Sequence, residues 1–205
     1  MLLVIQARSS SKRFPNKILY NIKSKPIILR VISNISKSKM ITNVVVATSK
    51  SKSDDKLAAL LQKKKYKFFR GNLDNVALRL LKVSQKFKKN FFIRISADSP
   101  LIDYKIINRA IKLFKKNRNI DIITNVFPRS YPEGQSVEII KTKVLENNLN
   151  KMSKLEKEHV TTYFYKNYSK FKILNFLNDT KKFKNINKMT VDYKSDIKKI
   201  IKFFK

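Results

Sequence analysis

Cysteine is absent from this 205-residue sequence, glycine occurs twice, histidine once, and 14 acids face 47 lysines and arginines. Each shortage excludes something. Without cysteine there is no disulfide framework and no thiolate metal site. One histidine, His159, provides no second imidazole for a zinc centre, so a metal would rest on oxygen ligands or on His159 itself. Two glycines, Gly71 and Gly134, do not write the G-x-x-x-x-G-K-[ST] loop, and that pattern is missing. No serine stands in a nucleophile-elbow setting, which disfavours hydrolysis by a triad. No apolar stretch approaches the roughly 18 residues of a membrane span, and the run at 2–5 is too short for a secretory signal. The expectation is a soluble, cytoplasmic protein with no membrane span.

What is present suits one compact unit. The length and the 42% hydrophobic content predict a single domain over 1–205, and no internal repeat or Gly/Ser linker divides it. The net charge of +33 invites a nucleic-acid reading. The lysines, however, are spread along the chain among asparagine, isoleucine and phenylalanine rather than gathered in one arm, so a solvated lysine coat explains them and a nucleic-acid partner is disfavoured. The same positive field would draw in a nucleoside triphosphate or a sugar acid.

Short apolar runs alternate with segments of helical period, the pattern of an α/β fold with a mostly parallel central sheet flanked by helices. The strands are expected at 2–6, 43–48, 66–70, 91–96, 120–125, 137–140, 171–176 and 188–191. Helices are expected at 26–36, 54–64, 74–87, 103–117, 141–149, 155–167 and 193–204. Pro26 opens the first of these, Ser53 and Asp54 are placed to cap the second, and Asp74 the third. Ligands of such sheets gather beyond the carboxyl ends of strands. That rule selects the loop 6–17, "SADSPLID" after 91–96, the loop 125–136 and "MTVDYKSD" near the end.

Loop 6–17, "QARSSSKRFPNK", sets Arg8, Lys12, Arg13 and Lys17 beside exposed amides. Such donors can cradle a triphosphate and balance the charge that develops as pyrophosphate departs, although a solvated basic loop would read the same. Asp98 and Asp192 each follow an apolar run directly. They could share one Mg²⁺, or serve as turn and cap residues. His159 lies within the helix expected at 155–167, where a lone histidine reads as a structural residue.

The order of the motifs carries a resemblance. "VIQARSSSKRFPNK", "KPIILRVI", "VVVATS", "FRGNLDNVALR", "IRISADSPLID", "YPEGQSVEI", "EHVTTYF" and "TVD" span nearly the whole chain. Together the sequence resembles the CMP-sugar cytidylyltransferases, most nearly the branch named for spore coat polysaccharide biosynthesis protein F, related to the acylneuraminate and deoxy-octulosonate cytidylyltransferases. The resemblance implies a nucleotide-diphospho-sugar transferase type fold, Rossmann-like, and a reaction of CTP with a sugar-acid acceptor in the presence of Mg²⁺. By motif, Arg8 and Lys17 take the catalytic, phosphate-binding roles, with Ala7, Ser11 and Arg13 beside them in the nucleotide site. Arg70 and Arg94 contribute to the nucleotide pocket, Asp98 binds nucleotide and metal, and Asp192 is the second metal ligand. Homodimers are common in the family, and no segment here identifies an interface. The chain departs from the family at Ser10 and Asn16, which replace loop glycines, at Ser136, which replaces an acid, and at 193–196. An asparagine tolerates the left-handed conformation better than a serine does. Two rivals differ in what they require: a glycosyltransferase of this fold would show an Asp-x-Asp pair, which is missing, and a nucleic-acid-binding module rests on charge alone.

Overall fold

The computed structural model describes residues 1–204. In chain order its strands are β1 (Leu2–Gln6), β2 (Asn21–Ile22), β3 (Lys25–Pro26), β4 (Asn43–Ser49), β5 (Phe68–Gly71), β6 (Phe91–Ser96), β7 (Ile122–Thr124), β8 (Glu138–Lys141) and β9 (Ile173–Asn175). The helices are α1 (Ile27–Ile35), α2 (Asp55–Lys63), α3 (Val76–Lys86), α4 (Tyr104–Lys116), α5 (Thr142–Asn148), α6 (Lys154–Glu158), α7 (Thr162–Lys166) and α8 (Asp196–Ile200). Seven strands form one sheet in the order β5-β4-β1-β6-β8-β7-β9, and β2 with β3 form a separate hairpin. Within the large sheet, β8 alone runs against its neighbours β6 and β7, so the mostly parallel sheet expected from the alternation is present.

Strand periodicity sorts the core into two layers. Leu3, Ile5, Val46, Ile93, Ile95 and Ile139 pack with α1, α2 and α4. Leu2, Val4, Val45, Phe92, Ile122 and Ile140 pack with α3, α5 and α7. Helices thus cover both faces. Strand β1 lies between β4 and β6, so successive crossovers leave it in opposite directions. That reversal opens a crevice beyond Gln6 and Ser96, the place where such sheets bind ligands.

Three expected elements differ. Residues 188–191 form no strand, because their ladder is a single bridge from Lys188 to Glu133. Residues 155–167 split into α6 and α7, with Val160 fully buried at a φ of 22°. A β-branched residue seldom takes that conformation, so burial in the core, not local preference, sets the break. The terminal helix is confined to α8 and a 3₁₀ turn, Ile201–Phe203. The caps also differ: Ser51 rather than Ser53 accepts at the turn before α2, and Asn75 Oδ1 accepts from Leu78 N at 2.8 Å to cap α3, leaving Asp74 free of that duty. No helix among the described residues is long and apolar enough to cross a membrane.

Gly134 fixes the path of 187–191. Its φ is +94°, and an added Cβ would lie 2.7 Å from the Met189 carbonyl carbon. Just before it, Glu133 N donates to Asn187 O and Glu133 O accepts from Met189 N. Gly134→Ala is therefore expected to cost roughly 1–3 kcal/mol of stability, read by urea unfolding, and to displace the segment that leads to Asp192.

Candidate active site

A cleft of about 880 Å³ opens at the β1/β6 reversal. Its lining includes six cationic side chains, those of Arg8, Lys12, Arg13, Lys17, Arg94 and Lys154, against the four carboxylates of Asp74, Asp98, Glu158 and Asp192. A pocket this polar suits a charged ligand, and its volume lies at the upper end of small-molecule sites.

The opening loop leaves β1 through Ala7, whose amide donates to Ala47 O at 3.0 Å. Ala7 is buried and lies behind the cleft. Ser11 N and Asn16 N both donate to Ser9 O at 2.9 Å, folding the loop back on itself. Asn16 takes the left-handed conformation, φ 56° and ψ 20°, the role for which asparagine best replaces glycine. Ser10 has no positive φ, so serine there carries no backbone strain. The loop ends in a 3₁₀ turn, Lys17–Leu19, that turns Lys17 inward until it is 8% exposed.

Lys17 Nζ donates to Asp98 Oδ2 at 2.9 Å and to Asp192 Oδ1 at 3.3 Å. Two carboxylates from loops far apart in sequence meet at one ammonium. Their registration is a backbone matter: Val191 N donates to Asp98 O at 2.9 Å. Asp192 also accepts from Arg13 Nη2 at 2.9 Å, from Lys188 Nζ at 3.1 Å and from Thr190 Oγ1 at 3.1 Å. Asp196 accepts from the Asp192 and Tyr193 amides at 2.8 and 3.0 Å and so closes the turn that follows Val191-Asp192.

Beneath the cleft, the α3-side face of the sheet changes character along its strands. Val4 gives way to Gln6, Phe92 to Arg94, Ile140 to Glu138 and Ile122 to Thr124. Arg94 and Glu138 are direct partners across β6 and β8 and form an ion pair, with Glu138 only 3% exposed. Arg94 Nε donates to Gln6 Oε1 at 2.9 Å. Tyr165 OH donates to Glu138 Oε1 at 2.6 Å and shares a 2.8 Å bond with Thr124 Oγ1. Burial, then the Glu138 charge and its hydrogen bond, push the Tyr165 phenol far up, so it remains a donor at neutral pH.

Of the residues singled out by sequence, Arg8, Ser11, Arg13, Lys17, Arg94, Asp98 and Asp192 line one cleft. Arg70 does not join them. It is held on the strand edge by Ser49 O at 2.8 Å, Ser51 O at 3.0 Å and Asp55 at 2.6 Å. Several cleft residues escaped sequence reasoning, four of them with titratable side chains. Lys154, Glu158 and His159 reach the cleft because the helix breaks after α6; Glu158 pairs with Arg8, and His159 is exposed there rather than packed inside a helix. Asp74 lines the wall instead of capping α3. The "EHVTTYF" motif was the available signal for Glu158 and His159.

Three aspartates, Asp54, Asp192 and Asp196, sit below the ordinary carboxyl range. For Asp54, burial pushes the value up, but hydrogen bonds from the Ser49 hydroxyl and the Ser9 and Ser49 amides outweigh it. Burial likewise opposes Asp192 and is outweighed by Lys188 and Lys17; for Asp196 the Tyr193 and Asp192 amides prevail. A depressed folded value means the unfolded chain binds protons first as pH falls. The stabilisation is complete above the unfolded value of about 3.9 and is lost as pH drops through the folded values. The melting temperature, followed by circular dichroism, is expected to change little from these groups between about pH 7 and 5 and to fall steeply below about pH 4.

Comparison with known proteins agrees with this fold. The family model described as Cytidylyltransferase matches residues 2–205. The chain is 29% identical over 209 residues to the spore coat polysaccharide biosynthesis protein SpsF of Bacillus subtilis, covering 98% of this chain and 84% of that protein. It superposes on a cytidylyltransferase from Leptospira borgpetersenii with a TM-score of 0.86 and 30% identity, covering 93% and 80% of the two chains. A CMP:2-keto-3-deoxy-manno-octonic acid synthetase, solved in complex with CTP, gives a TM-score of 0.74 at 18% identity over 98% and 96%, a likeness of fold. With a nucleotidyltransferase fold and a family model matched over almost its whole length, the chain belongs to the cytidylyltransferase family.

Proposed function

We propose that the chain transfers CMP from CTP to a hydroxyl of a sugar acid, releasing pyrophosphate, for the assembly of a surface polysaccharide or glycan. The observation that carries this reading is the convergence of Lys17, Asp98 and Asp192 at the crevice of the β1/β6 reversal. The acceptor oxygen attacks the α-phosphorus as the bond to the bridging oxygen breaks, and pyrophosphate leaves with that electron pair. The hydroxyl proton passes to solvent or to a cleft carboxylate. Arg8, Arg13 and Lys17 meet the charge on the phosphates, so the protein's part is positioning and electrostatic stabilisation.

Mg²⁺ fits the donor set. Asp98 and Asp192 are two carboxylates within hydrogen-bond reach of one point, and among the described residues no group of three His, Cys, Asp or Glu side chains offers a closed protein cage. A hard cation that takes one or two carboxylates and leaves its other positions to phosphate and water suits this arrangement. Bound there, Mg²⁺ would draw charge from the α-phosphate. Asp98 and Asp192 would hold it, and Lys17 would turn from the carboxylates toward the phosphates.

The test is pyrophosphate release from CTP across a panel of sugar acids, with UTP and ATP as controls. Release that requires both CTP and a sugar acid supports the reading. CTP-independent release, or the same rate with neutral sugars, contradicts it.

A further inference from the structure

Asp54 and Arg79 are the two most deeply buried charges, 0% and 1% exposed, and neither lines the cleft. Each is tied to one of its walls. Asp54 Oδ1 accepts from Ser9 N at 2.6 Å, at the root of the opening loop, while Oδ2 accepts from Ser49 N at 3.0 Å and from the Ser49 hydroxyl. The carboxylate thereby pins the loop to the end of β4. Arg79, on α3, sends Nη1 to the carbonyl oxygens of Asn72 and, at 3.1 Å, Leu73. Those carbonyls belong to the turn that presents Leu73 and Asp74 to the cleft. Gly71 makes room for this: a Cβ there would lie 2.9 Å from Arg79 Cγ.

The two groups act on each other without a direct ion pair among the described residues. Burial pulls the Arg79 guanidinium down to about 10, Asp54 opposes that pull, and the group stays cationic at neutral pH. Buried polar atoms are almost always paired. The described exceptions are Ser9 Oγ, Thr48 Oγ1, Arg79 Nε and Arg79 Nη2, all on residues that surround or act on Asp54. The region behind the cleft is therefore a polar seam that couples its walls.

The walls differ in chemistry. The opening loop is cationic and suits phosphates. The 72–74 turn supplies an apolar side chain, a carboxylate and backbone, which suit the flat face and exocyclic amine of a nucleobase. We propose that Asp54 and Arg79 are a buried positioning pair, Asp54 setting the phosphate-binding loop and Arg79 setting the turn that discriminates the base. This rests on the CTP reading above.

Crossed losses test it. Dissociation constants for CTP, UTP and inorganic triphosphate are measured by calorimetry on folded wild type, Asp54→Asn and Arg79→Met. Asp54→Asn keeps the side-chain volume but sets its NH2 donor against either the Ser9 amide or the Ser49 amide, which bond to different oxygens of the carboxylate. It is expected to weaken triphosphate about tenfold while keeping the CTP:UTP ratio. Arg79→Met is expected to lower that ratio about tenfold and leave triphosphate binding unchanged. If Arg79→Met does not fold, Arg79→Lys keeps the charge but reaches one carbonyl, and a partial loss of the ratio is expected. A purely structural role would lower the melting temperature and leave both binding readouts at wild-type values, which would overturn the inference. Wild type with no preference between CTP and UTP would overturn the cytidylyltransferase reading and the Arg79 clause, while the triphosphate arm would still decide the Asp54 clause.

Discussion

Replacing Lys17 with alanine is expected to reduce turnover a hundredfold or more, the loss of about 3 kcal/mol of transition-state stabilisation. The size follows from placement. Lys17 is the cation both aspartates share, and its side chain is 11% exposed, so little water is present to substitute for it. Its removal also leaves Asp98 and Asp192 facing one another without the intervening ammonium, which disfavours their joint ionisation. Arg8→Ala is expected to follow in the same direction, since its partner Glu158 would be left on the cleft wall. Steady-state pyrophosphate release measures both, and near-wild-type turnover in the two variants would remove the opening loop from the catalytic role.

Glu138→Ala is expected to give the largest loss of stability, about 3–5 kcal/mol, because it strands Arg94. Glu138 is 3% exposed and Arg94 17%, and Tyr165 loses its acceptor at the same time. Chemical denaturation should show the loss as a lower midpoint with an unchanged slope. The double variant Arg94→Met with Glu138→Leu is expected to recover most of the stability, since replacing both members of a buried ion pair by apolar groups is often neutral. It should not recover activity, because the cation on the cleft floor is gone. A double variant as unstable as Glu138→Ala alone would mean that the ion pair is not the source of the effect.

How much of this was legible in the sequence depends on how local each determinant is. The strands of the large sheet were legible because buried parallel strands read as short apolar runs, such as "NVVVAT" in β4. Asn16 was legible because its conformational role is a property of the residue itself. The apolar spacing of 188–191 suggested a strand, but only a ladder partner makes one, and the chain offers Glu133 alone. The break at Val160 depends on what packs around it, so no propensity marks it. The hairpin of β2 and β3 is two residues per strand, too short for any periodicity.

The site shows the same division. Residue types and strand ends found the opening loop, Asp98 and Asp192. Their meeting spans 81 and 175 residues of sequence from Lys17, a separation that only the fold closes. Arg70 looked equivalent to Arg94, yet Arg94 sits on β6 beside the reversal while Arg70 sits on the edge strand β5, with β4 and β1 between them, where backbone carbonyls occupy it. Asp54 read as a cap because Asp before a helix usually is one. Its burial and its bond to Ser9 belong to the three-dimensional structure.

The most direct measurement is the melting temperature of the purified protein with CTP, UTP, ATP or GTP, each with and without Mg²⁺. A ligand that binds the native state raises it, with no need to know the acceptor. A rise selective for CTP and larger with Mg²⁺ is the expected result. An equal rise with all four nucleotides, or none with any, would contradict a CTP site at the β1/β6 reversal.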